Sequence, residues 1–234
     1  MKVNPLYCHI TPKVNSKKNL PSLQSKSYNP SFSSISLYGI NAIKEGQDGR
    51  KSYVPASFSR ISPEDHSDYF TMVDIGNRLV QGDRYGAHIC YNFRIMPPRE
   101  VHFFAVESEE RGVPLKDKII SLAQANIYDK RLHNPYHPDK HYMEIALIQS
   151  MKDIPCSRFS EVKGGGELCL YGLVRLAKER NLDYVVLSST NNAFYDHVEF
   201  GTRENFHNST IFKLHKESYD EFLAKIEKKY GFRS

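Results

Sequence analysis

Apolar residues recur along most of this chain, but their period changes, and each change predicts an element. Through Ser34 there is no periodicity at all: "TPKVNSKKNLPSLQSKSYNPSFSS" is Ser-, Asn-, Lys- and Pro-rich and reads as extended or disordered. Residues 35–43, "ISLYGINAI", fit a short strand. The stretch 62–83 reads as a helix, with Ser62 as cap, Pro63 at the first position and Glu64 and Asp65 at the positive end. "GAHICYNFRIM" (86–96) and "EVHFFAVES" (100–108) read as two strands of a hairpin, being rich in aromatic and branched residues around a "PPRE" turn. Leu115, Ile119, Leu122, Ala123 and Ile127 fall at helical spacing and predict a helix over 114–130.

The second half obeys the same logic. "RLHNPYHPDKH" is a loop, and Tyr142 to Ser150 is a strand with an apolar centre. An irregular segment leads to Gly164-Gly165-Gly166, and a helix comes next over 167–180. A buried strand (183–190), a short helix opened by asparagine (191–200), a strand (209–216) and an amphipathic helix (216–232) close the chain. The fold class this order predicts is α/β: a mixed central sheet flanked by helices. Strands 142–150 and 183–190, joined through a helix, should be parallel neighbours.

The composition narrows the class. The 234 residues are 40% hydrophobic, enough for one core, and no apolar run approaches the roughly 18 residues that span a bilayer. The start lacks the apolar core of a secretory signal, so the expected location is the cytoplasm. Four scattered cysteines form no C-x-x-C pair and predict neither a zinc ribbon nor a disulfide framework. Of the net charge of +5, the basic excess lies in the first 60 residues, which gives no basic face for nucleic acid. The expected organisation is a flexible basic N-terminal segment, 1–60, before one folded domain, 61–234.

Three glycines before a helix let a backbone approach closely, and a helix start favours an anion such as a phosphate. A P-loop needs a lysine after its last glycine; Glu167 and Leu168 stand there instead. A dinucleotide loop needs a third spaced glycine and a later acid, and neither is present. Spacing alone also permits a plain loop.

Here the chain resembles the GCN5-related N-acetyltransferase superfamily, whose signature after its central strand is Q/R-x-x-G-x-G/A. "EVKGGG" matches at Gly164 and Gly166 and departs at Glu161; "NNAFYDHVEFG" resembles the later helix, with Glu199 where glycine is usual. The likeness covers roughly 60 residues. It implies an acyl-CoA N-acyltransferase-like fold with acetyl-CoA as acyl donor and an amine, on a protein or a small molecule, as acceptor. It implies pantetheine against Leu147, Ile148 and Gln149, and pyrophosphate on the N–H groups of Val162, Lys163, Gly164, Gly165, Gly166 and Glu167, with Asn192 nearby. Glu144 would be the base and Tyr195 the donor to the leaving thiolate. The departures leave a second function: a non-catalytic or effector-type interaction module, its N-terminal segment serving export without a cleaved signal, or docking to a protein partner. A longer acyl group, or an acyl carrier protein, is a third donor class.

Two further constellations carry less. His133, His137 and His141 have metal-like spacing, but Pro135 and Pro138 break the helix that would align them, so no metal is expected. Cys156 has nothing beyond proximity in sequence to make it a nucleophile with one of these histidines.

Overall fold

The structure, a computed structural model, describes residues 35–46, 48–79, 84–96, 101–109, 118–128, 141–151, 162–206 and 209–232. Its centre is one nine-stranded sheet in the order β6-β1-β2-β3-β4-β5-β7-β9-β8. The strands are β1 (Ile35–Glu45), β2 (Lys51–Ile61), β3 (Val101–Ser108), β4 (Ile119–Tyr128), β5 (Tyr142–Ser150), β6 (Val162–Lys163), β7 (Tyr184–Ser189), β8 (Thr202–Phe206) and β9 (Ser209–His215). The helices are α1 (His66–Arg78), α2 (Arg84–Ile95), α3 (Gly165–Glu179), α4 (Asn192–Val198) and α5 (Tyr219–Tyr230). The predicted mixed sheet with flanking helices is what the structure contains. The β5–β7 pair is parallel, as its helical connection requires; the other strand pairs run antiparallel.

Two strands occupy the stretch read as part of the N-terminal segment. β1 and β2 form a hairpin that buries Tyr38, Ile40 and Ala42 on one strand and Val54, Ala56 and Phe58 on the other. Serines between the apolar positions, and Pro55 within β2, hide this alternation. Among the described residues the sheet begins at Ile35, and the whole excess of positive charge in the sequence lies before that residue.

Two predicted elements change type. Residues 86–96 are helical: Gly86, Ile89, Cys90 and Phe93, at spacings of three and four, are the buried ones. Tyr91 and Ile95, 59% and 58% exposed, supply the strand-like composition. The hairpin predicted from this segment does not form; β3 pairs with β2 and β4 instead. The 114–130 helix is replaced by β4. Ile119 through Ala125 are buried on both faces of the sheet's middle, so no alternation marks them as a strand. β8 has no counterpart among the predicted elements, and the cap of α1 is Asp65, whose side chain accepts from Asp68 N, rather than Ser62.

The sheet is covered unequally. On one face α3 and α5 bury a core that includes Phe58, Phe104, Met143, Ile145, Leu173 and Phe222. On the other, α1 and α2 bury Met72, Ile75, Ile89, Phe93, Phe103 and Leu122. Packing under α3 is tight enough that a Cβ at Gly172 would fall on the ring of Phe58, itself stacked 5.2 Å from Phe104.

Candidate functional site

The parallel pair is short. Tyr142 to Ile145 pair with Tyr184 to Leu187, and there the pairing ends. β7 continues beside β9, matching Ser188 with Ile211 and Ser189 with Thr210, while β5 continues beside β4. The strands therefore splay. A bulge marks the point: Ile145 faces Ala125 and Leu147 faces Gln124, so Ala146 is the extra residue on β5. A bulge bends its strand and re-aims the side chains beyond it. Before it, Met143 and Ile145 pack into the α3 core; after it, Leu147 packs into the α1–α2 core and Ile148 against the α3 side.

A cleft of about 490 Å³ opens at the splay, lined by Ile148, Gln149 and Ser150 of β5, Lys163 to Glu167, Thr190, Asn191, Phe194, Tyr195 and Tyr85. Most of the residues nominated from sequence meet here: Ile148, Gln149, Lys163, Gly164, Gly165, Gly166, Glu167 and Tyr195. Leu147 and Val162 are adjacent in chain but their side chains pack into the cores. Glu144 lies before the bulge, on the sheet face away from α3, where Asn126 Nδ2 and Tyr128 Oη donate to its Oε2 at 3.3 and 3.4 Å. It is not on the cleft wall. Asn192 turns to β9 and donates to Thr210 Oγ1 at 3.1 Å; its neighbour Asn191 is the one on the wall, capping α4 by accepting from Phe194 N. Glu161, Cys156, His133 and His137 lie outside the described residues. Among the described residues, no group of His, Cys, Asp and Glu side chains is arranged to hold a metal, and no helix is long and apolar enough to cross a membrane.

The glycines have a structural explanation in the protein itself. Gly164 caps α3 with φ +86°, a left-handed conformation, and a Cβ there would fall on the hydroxyl of Tyr230. A Cβ on Gly165 would lie 2.7 Å from the carbonyl oxygen of Ile120, and one on Gly166 2.9 Å from Cζ of Phe194. Close packing thus accounts for all three, whether or not a ligand approaches. The first intrahelical bond is Leu168 N to Gly164 O, so the first-turn N–H groups before it have no partner within the helix and stand at the cleft.

Charge at this helix start is balanced. Glu167 is 7% exposed; its Oε1 accepts from Lys229 Nζ at 2.7 Å and its Oε2 from Tyr230 Oη at 2.9 Å. The carboxylate that would repel an anion is thereby tied to α5, and burial beside it pushes the Tyr230 phenol up. Lys163 pairs with Glu45 on β1 and remains about half exposed at the rim.

Tyr195 packs 5.3 Å from the ring of Phe212 and 5.0 Å from Phe194. Burial pushes its phenol up to about 12, with Cys169 and Tyr85 adding to the effect. Cys169 is fully buried with Sγ 3.1 Å from Ser121 Oγ, and burial holds the thiol at about 12, against the opposing effect of that hydrogen bond. It is an inert thiol under the cleft, not a nucleophile. Sequence reasoning missed Tyr85, Ser150, Thr190 and Phe194, and the partners Lys229 and Tyr230. Only a helical reading of 86–96 could have signalled Tyr85; the α5 partners carry no local signal.

No family model matches the chain, and no curated protein matches its sequence. Solved structures similar to it include Tetrahymena GCN5, at 11% identity over 76% of this chain and 96% of that one, with a TM-score of 0.40. Another is NAA60 of Arabidopsis thaliana in complex with acetyl-CoA, at 14% identity over 69% and 99%, TM-score 0.45. A third is FeeM, an N-acyl amino acid synthase from uncultured soil microbes, at 12% identity over 73% and 96%, TM-score 0.44. At these identities the likeness is one of fold.

Proposed function

We propose that this chain is an acyl-CoA-dependent N-acyltransferase, with acetyl-CoA as donor and an amine of a protein or small molecule as acceptor. The observation that carries the proposal is the splay of β5 from β7, opening onto the first turn of α3. Beyond Ile145, no strand among the described residues pairs with that side of β5, so its backbone can take an extended arm as an added strand. First-turn N–H groups at the far end of the same cleft suit a pyrophosphate. Glu167 does not oppose this, because Lys229 and Tyr230 already engage it.

Acetyl-CoA supplies an activated thioester carbonyl. In this assignment Leu147, Ile148 and Gln149 hold the arm through their backbone, and residues 162–167 hold the pyrophosphate through their N–H groups, with Lys163, paired to Glu45, at the rim. N–H groups of β5 past the bulge stabilise charge on the carbonyl oxygen. Tyr195, which keeps its proton through the physiological range, donates to the leaving sulfur. The acceptor must lose a proton to attack, and Glu144, set back from the cleft, takes it through water.

An acetyl-transfer assay against simple primary amines tests this. Glu144→Gln should lower kcat/KM by about tenfold, below the usual hundredfold or more of a general base in direct contact, because the transfer is indirect. The acetyl-CoA Kd should stay within about twofold. An unchanged kcat/KM removes Glu144 from the mechanism; no transfer to any amine by a protein that binds acetyl-CoA removes the catalytic assignment.

A further inference from the structure

Tyr85 stands in the first turn of α2, which packs over β4 and β5 and bonds to β4 through Asn92 Nδ2 and Gln124 Oε1 at 2.8 Å. Its hydroxyl donates to Oγ1 of Thr190, just past the end of β7, at 2.9 Å. That one bond runs from the β5 side of the splay to the β7 side, and both partners line the cleft together with Tyr195. Tyr85 is also close enough to contribute to the raised pKa of the Tyr195 phenol.

On its inner side Tyr195 is backed by core. Phe200 and Phe212, 0% and 2% exposed, lie 6.2 and 5.3 Å from its ring. Cys169 and Ser121 are fully buried and touch each other. Tyr85 is different: it is 36% exposed, with solvent rather than core on its outer side. With the thioester beside Tyr195, an acyl chain longer than acetyl meets packed side chains in the core directions. Away from the core, a way out past Tyr85 costs no core repacking.

We propose that Tyr85 is a specificity-determining residue, whose ring and bond to Thr190 close the acyl end of the cleft and restrict the donor to short acyl groups. This rests on the donor assignment above and goes beyond it by naming what sets chain length.

The test compares calorimetric Kd values for acetyl-CoA and octanoyl-CoA. Wild type should favour acetyl-CoA at least tenfold. Tyr85→Ala should shift the ratio toward octanoyl-CoA by tenfold or more, since each methylene taken out of water is worth about fourfold. Alanine suits a helical first turn at a part-exposed position, so the variant should fold. Tyr85→Phe and Thr190→Val keep the wall and lose only the bond; each should shift the ratio about threefold, and the double variant no further, because both remove one interaction. Tyr91→Ala, on the same helix and 59% exposed, should not shift it. A wild type that binds acetyl-CoA, with a ratio unmoved by Tyr85→Ala, overturns the inference alone, as does a wild type that takes octanoyl-CoA equally well. A folded wild type that binds neither overturns the donor assignment and this inference with it.

Discussion

Tyr195→Phe should lower kcat for acetyl transfer by about a hundredfold, the low end of what a positioned proton donor contributes, and leave the acetyl-CoA Kd within about twofold. The substitution removes one oxygen. The ring keeps its contacts with Phe194 and Phe212, so the wall of the cleft keeps its shape. The hydroxyl matters because of its state: with its pKa held at about 12 by burial, it is a donor throughout the usual assay range. A thiolate leaving without that donor carries its charge uncompensated. The rate should fall at every pH between about 6 and 9, with no new limb in the profile, because a free phenol near pH 10 is not what the folded protein contains. Steady-state kinetics across that range checks this. A loss under threefold makes Tyr195 a packing residue.

Gly164→Ala should destabilise the fold by about 3 kcal/mol or more, read by urea denaturation. Three costs coincide. Alanine in the left-handed region costs about 1 kcal/mol. Overpacking adds roughly 1–3 kcal/mol, because the new methyl falls on the Tyr230 hydroxyl. Moving Tyr230 also loosens its hydrogen bond to the buried Glu167 carboxylate, a contact to a charged group worth about 1.5–3 kcal/mol. Gly39→Ala is the control: a Cβ there meets nothing within 4 Å, and its effect should stay within about 0.5 kcal/mol. Equal effects at the two sites would mean that the approach of α3 to α5 is looser than the structure has it. The same geometry makes Gly164 a poor position for probing a ligand, since any side chain there disturbs α5 first.

What can be read from the chain alone divides along a physical line. β5, β7, β9, α4 and α5 keep their burial largely to one face and emerge from the pattern, close to where period and capping put them. β3 and α3 are buried nearly all round, and aromatic and branched composition and the glycine start mark them instead. β4 does not emerge, because a strand buried on both faces loses its alternation, and Ile119, Leu122, Ala123 and Ile127 then fall at helical spacing by chance. α2 does not, because Tyr91 and Ile95 are apolar and face solvent. β2 is masked by its serines and Pro55. The candidate site shows the same division. Glycine clustering and the Asn-Ala-Phe-Tyr run point to the right stretch of chain, and the structure gathers most of it around one cleft. Nothing local could announce the bulge at Ala146, which takes Glu144 off the wall, or Lys229 and Tyr230, which reach Glu167 from more than 60 residues away. Nor could the sequence say that Tyr230, the Ile120 carbonyl and Phe194 stand against the three glycines; a phosphate is one reason for glycine, and packed neighbours are another.

The most direct test is calorimetric titration of acetyl-CoA into the wild type and into Gly166→Asp. Gly166 is the right position of the three. A side chain there meets the ring tip of Phe194, which can turn aside, and an acid in the first turn favours the helix itself. The carboxylate would stand where the pyrophosphate is proposed to sit. The expected result is measurable binding to the wild type that weakens at least tenfold in Gly166→Asp, with circular dichroism and melting temperature unchanged. Equal affinity in both proteins would contradict the pyrophosphate cradle, and no binding by a folded wild type would contradict the donor.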